Sequence, residues 1–136
     1  MILSTDRTPK IYGDMALVTI QIARVIGGGI CVAASDGNKV HDEILAAFKA
    51  GNRVALSFQN VSRMTTAFLN AAVGQLYGEF SEEQLREMLA PPIHAEPWHL
   101  NRLKLVVDRA KVYFRDPKRA EKIFRDVTGL DDDSAD

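Results

Sequence analysis

With 136 residues, 46% hydrophobic and 26% charged, the chain has the make-up of one soluble globular domain that can bury a single core. A formal net charge of −1 argues against a general nucleic-acid or membrane-surface binder. The lone cysteine, Cys31, excludes an intramolecular disulfide, and no apolar run approaches the ~18–20 residues of a bilayer-crossing helix. The opening residues lack a basic stretch leading into a long apolar run, so a cytoplasmic location is the expectation.

Residues 1–14, interrupted by Pro9 and Gly13, read as an irregular lead-in to a domain spanning 15–130. Met15 to Val25 alternates and predicts a strand. Gly27-Gly28-Gly29 breaks it; without the Lys and Ser/Thr of a phosphate-binding loop, the triplet reads as a turn. Ile30–Ala34 predicts a second short strand. Ser35 or Asp36 then caps a helix whose Val40, Ile44, Leu45 and Phe48 share one side, closed by Gly51-Asn52. The run from Val54 to Phe58 predicts a buried strand. A polar turn carrying Thr65 and Thr66 follows, then a helix to about Tyr77 that buries Phe68 or Leu69, Ala72, Val73 and Leu76.

Ser81 and Gln84 have capping-box spacing ahead of Leu85, Met88 and Leu89, and Pro91-Pro92 ends that short helix. Ile93–Glu96, flanked by prolines, predicts a brief edge strand. Leu100, Leu103, Val107, Ala110 and Phe114 mark a helix of about four turns. Asp116-Pro117 opens a last helix presenting Ala120, Ile123, Phe124 and Val127, and residues 131–136 form an acidic tail expected to be disordered. Strands alternating with helices define an α/β layer fold, and the unit from Ile30 to Phe58 is long enough for a right-handed parallel crossover.

The chemistry concentrates at the turn before the helix. Thr65 and Thr66 place two hydroxyls beside the N–H groups of a first helical turn, where a side chain can cap, an anion can sit or a phosphate can be attached. Elsewhere the residues argue for structure. His41, His94 and His99 fall on different elements without metal-site spacing, and Cys31 sits in an apolar strand with no nominated base. Glu79, Glu82, Glu83 and Glu87 suit a solvated helix start. No nucleophile–base pair, metal site or cofactor motif stands out, so the expectation is a non-enzymatic module. The stretch 102–126 carries nine basic residues against four acidic ones. Lys111, Arg115, Lys118 and Arg119 form its patch, which offers an alternative: a nucleic-acid-associated regulator.

Ser35-Asp-Gly-Asn, the run Gly51-Asn-Arg-Val-Ala-Leu-Ser-Phe-Gln-Asn-Val61 and Thr65-Thr-Ala-Phe-Leu-Asn-Ala-Ala-Val-Gly-Gln-Leu-Tyr-Gly78 resemble a STAS-like bacterial family. That family has no assigned function and is related to anti-sigma-factor antagonists. The resemblance runs over roughly 30–115 and is most specific between Val54 and Phe80. It implies one sheet of four or five strands, mixed or mostly parallel, backed by amphipathic helices. More distantly, it implies partner switching. There, an ATPase of the histidine-kinase-like class binds the domain and phosphorylates a hydroxyl at the start of the helix. Alignment places Thr66 at the phosphoacceptor position, with Thr65 beside it where an aspartate usually sits. Ser57 stands at another position that is acidic in the family. Arg63, Phe68 and Asn70 become the candidate partner-binding residues.

Overall fold

The computed structural model describes residues 15–115, so the lead-in, the last predicted helix and the acidic tail lie outside the described residues. The elements are β1 (Leu17–Gln21), α1 (Ile22–Ile26), β2 (Ile30–Cys31), α2 (Ala34–Lys49), β3 (Arg53–Ser57) and β4 (Arg63–Met64). There follow α3 (Thr66–Leu69), a π-helical turn (Asn70–Gly74), α4 (Leu76–Glu79), α5 (Glu82–Met88) and α6 (Pro97–Arg115).

β3 organises the layer. Residues 54–58 are all buried, the continuous apolar pattern expected of a strand covered on both faces. β1 pairs with it in parallel, Leu17 opposite Arg53 through Gln21 opposite Ser57. On its other side only isolated pairings form, Val54 with Leu89 and Ser57 with Ile93. The expected Ile93–Glu96 strand shrinks to the bridge at Ile93: Pro91 and Pro92, without N–H groups, interrupt the ladder before it, and His94 at φ 53° takes the chain out of extended geometry after it. β2 pairs in parallel with β4, not with β3, so the predicted crossover from Ile30 to Phe58 joins strands that are not neighbours. The parallel α/β class stands. Among the described residues, however, the named strands form two two-stranded sheets in place of the single sheet of four or five.

The predicted strand Met15–Val25 ends at Gln21 and becomes helical. Ile22, Val25 and Ile26 are spaced i, i+3, i+4, and Gly27 at φ 84° supplies a left-handed end whose N–H donates to Ala23 C=O (3.0 Å). Two residues on, a Cβ on Gly29 would collide with the Asn60 carbonyl, while the Gly29 carbonyl accepts from the N–H groups of Ser62 (2.9 Å) and Arg63 (3.1 Å). The glycine triplet thus terminates a helix and admits a neighbouring backbone.

α2 begins just ahead of its predicted cap, after Ala33, and buries Val40, Ile44 and Phe48 along one face. It crosses α3 at Gly37, where any Cβ would strike the Phe68 carbonyl. The helix predicted from Thr66 to Tyr77 buries the expected Phe68, Leu69, Ala72, Val73 and Leu76, but it is broken by the π turn. Gln75 N–H reaches back five residues to Asn70 C=O (3.0 Å), and the small Gly74 lets Val106 of α6 approach.

α5 has the predicted capping box: Gln84 N–H donates to Ser81 Oγ (3.0 Å) and Ser81 N–H to Gln84 Oε1 (2.9 Å). α6 starts at Pro97, three residues before the predicted Leu100, because proline suits the first helical position. Its core face is centred on His99, Val106 and Ala110, whereas Leu100 and Phe114 at the ends of the predicted stripe are 43% and 42% exposed.

Candidate functional site

β4 delivers the chain to α3 with Met64 buried and Arg63 exposed. Thr65, 6% exposed, adopts the extended geometry of an N-cap (φ −98°, ψ 162°). Its Oγ1 accepts from Phe68 N–H (3.1 Å) and donates to Val32 C=O (2.7 Å), while its N–H donates to Cys31 C=O (3.0 Å). One side chain thereby ties β4, the chain after β2 and the first turn of α3 together. Thr66 follows at the first helical position and is half-buried. The adjacent hydroxyls have different surroundings: Thr65 is sealed in as the cap, and Thr66 lies at the rim.

Two arginines flank the junction. Arg63 projects from β4, and Arg102 reaches from α6 to donate through Nη1 to Met64 C=O (2.6 Å), its guanidinium 5.7 Å from the Trp98 ring. Sequence reading placed Arg102 only within the basic stretch. A partner 38 residues away along the chain leaves no local signal, so its contact with the junction was illegible. Of the candidate partner-binding residues, Asn70 is half-buried in the π turn, but Phe68 is a correction. It is 0% exposed, packed in the core beneath α2, and its side chain cannot meet a partner while the domain is folded. Ser57, at the position acidic in the resembled family, is also buried, its Oγ accepting from Gln59 N–H (3.3 Å).

The three histidines are brought to separate places. His41 Nε2 lies 2.8 Å from Glu79 Oε1, joining α2 to α4. His94 sits exposed at φ 53°. His99 is buried between Phe58 and Trp98, and Glu96 N–H donates to its Nδ1 (2.9 Å). That bond fixes the tautomer, so Nε2 carries the hydrogen and donates to Val61 C=O (2.9 Å). His99 therefore makes one half of a capping box, its ring reaching back to the N–H of the residue before the helix. Among the described residues no group of three or more His, Cys, Asp or Glu side chains is placed to hold a metal ion. Cys31 is fully buried, and desolvation, with the Asp36 carboxylate adding to it, pushes its thiol up to about 11.

The basic patch divides. Arg115 donates from Nε (2.7 Å) and Nη2 (2.8 Å) to the two carboxylate oxygens of Glu82, a fork that spans α6 and α5. Those bonds hold the Glu82 carboxyl below the usual range. Lys111 is half-buried beside a cavity, and Lys118 and Arg119 lie outside the described residues. No helix among the described residues is long and apolar enough to cross a membrane.

Residues 36–91 match the family model described as a STAS-like domain of unknown function (DUF4325). The matched span runs from the first turn of α2 through β3, β4 and the broken helix to the segment after α5, and so includes Thr65 and Thr66. No curated protein and no solved structure matches the chain.

Proposed function

We propose that this STAS-like domain is a non-enzymatic protein-interaction module, switched by phosphorylation of Thr66. Its partner-facing rim comprises Arg63, Thr66 and Asn70. The partner is a protein, with an ATPase of the histidine-kinase-like class as the first candidate because it can also supply the phosphate. The observation that carries this reading is the unequal treatment of the two threonines: Thr65 does the capping in the interior, so Thr66 can be modified without dismantling the start of the helix. A phosphate there adds roughly −1.5 to −2 charges, which the amides of the first turn and the neighbouring arginines accommodate and an acidic partner surface repels.

The test is to incubate the intact protein with ATP and an ATPase of the histidine-kinase-like class from the same genome, and to map phosphate by mass spectrometry. Phosphate on Thr66, its loss in Thr66→Ala, and weakened partner binding by Thr66→Glu are the expected results. An unmodified Thr66, together with parental binding by both variants, overturns the reading.

A further inference from the structure

Away from the junction, side chains of β3, α5 and α6 line a cavity of about 440 Å³, inside the ~300–1,000 Å³ range of small-molecule sites. Its floor is hydrocarbon: Leu56 of β3, Val73 of the π turn, Leu85 of α5, and Leu103 and Val107 of α6. Pro91 and Pro92 form one wall, where the missing N–H groups remove hydrogen-bond donors that a polar ligand would need. Charge is confined to the lip. Arg53, Arg86 and Lys111 stand there, Arg53 steadied by its Nε–H donating to Glu87 C=O (2.9 Å). The one acidic lining residue, Glu82, is neutralised by its two-bond pair with Arg115.

We propose that this cleft binds a free medium-chain fatty carboxylate, the hydrocarbon chain lying between α5 and α6 and the head group meeting Arg53, Arg86 and Lys111. The layout selects this class. A sugar or nucleotide would press most of its hydroxyls against hydrocarbon, Tyr77 being the one uncharged polar side chain of the lining, at a desolvation cost, while a neutral alkane or alcohol would forgo the cationic lip. The site is distinct from Thr66, and the proposal stands whether or not that residue is phosphorylated.

The experiment is a titration of the ¹⁵N-labelled full chain with sodium decanoate, kept below micelle formation, with decanol as the uncharged control. Saturable shifts are expected on amides of β3, α5 and the cleft-facing part of α6. Decanol and the variants Arg86→Glu and Lys111→Glu should each lower affinity by about tenfold or more, the scale of a lost charged hydrogen bond. Val107→Trp fills the floor and should abolish binding of both probes. Because that substitution can disturb folding, the two lip variants, on exposed or half-exposed side chains, serve as the independent check. Absence of a saturable shift, equal affinity for decanoate and decanol, or indifference to both charge reversals overturns the proposal. So does binding seen only in Phe124→Asp, which would assign the cleft to the chain's own C-terminal segment.

Discussion

The junction between β4 and α3 and the cleft between α5 and α6 both border the layer built on β3, and they treat side chains in opposite ways. At the junction polar groups are internalised and paired: Thr65 alone serves Phe68 N–H and Val32 C=O, and Arg102 serves Met64 C=O. At the cleft Leu103 and Val107 stay half-covered in front of the buried Leu56, Val73 and Leu85, and charged side chains line the same cavity. Saturated hydrogen bonding marks a place that holds the fold together, whereas uncovered hydrocarbon beneath a ring of charge marks a place where something else completes the contacts.

The contrast can be broken most forcefully at Phe68. Phe68→Ala should lower unfolding free energy by about 3–5 kcal/mol in urea titrations, because the ring is fully enclosed. A variant of parental stability with impaired partner binding would return Phe68 to the surface and undo the assignment. Next in size, His99→Leu strands the Glu96 N–H and Val61 C=O, and should cost about 2–3 kcal/mol by the same measurement. The threonines give a smaller, internally controlled difference. Thr65→Ala should cost about 1–2 kcal/mol and Thr66→Ala less than about 0.5, so equal losses would erase the distinction between them.

The smallest effect belongs to the strap across the cleft. Glu82 has its folded pKa depressed, so the stability it contributes is present above the unfolded carboxylate pKa and disappears as pH falls through the lower folded value. In Arg115→Gln the NMR midpoint of Glu82 should move up toward the ordinary carboxylate range, with almost no change in unfolding midpoint near neutral pH. An unmoved midpoint would mean that Arg115 does not govern this carboxyl.

Much of this arrangement was legible in the residues. The Ser81/Gln84 box, the buried run after Arg53 and the apolar face of Val40, Ile44 and Phe48 follow from spacing and composition, while the STAS-like character of the middle of the chain came from resemblance and is matched over 36–91. What escaped was set by contacts distant in sequence. Nothing local tells that β2 will choose β4 over β3, since two residues of pairing carry almost no preference of their own. The helical turn of α1 hid inside an alternating pattern because Ile22 continues the face of Val18 and Ile20, and only Val25, Ile26 and the left-handed end at Gly27 break the period of two. The cleft was unreadable for the same reason: its floor draws on β3, the π turn, α5 and α6, and no window of sequence contains all four.

The π turn at Asn70–Gly74 makes the helical path change step. With a hydrogen bond closing over five residues where the α-helix closes over four, one extra residue enters the path and the outward azimuth of Leu76–Glu79 is offset from that of Thr66–Leu69. A binding surface shaped to follow one straight helical ridge would fit either half and miss the other. The rim near Thr66 is consequently a short, self-contained stretch of surface, and the half bearing Glu79 is left turned toward His41 to clasp α2.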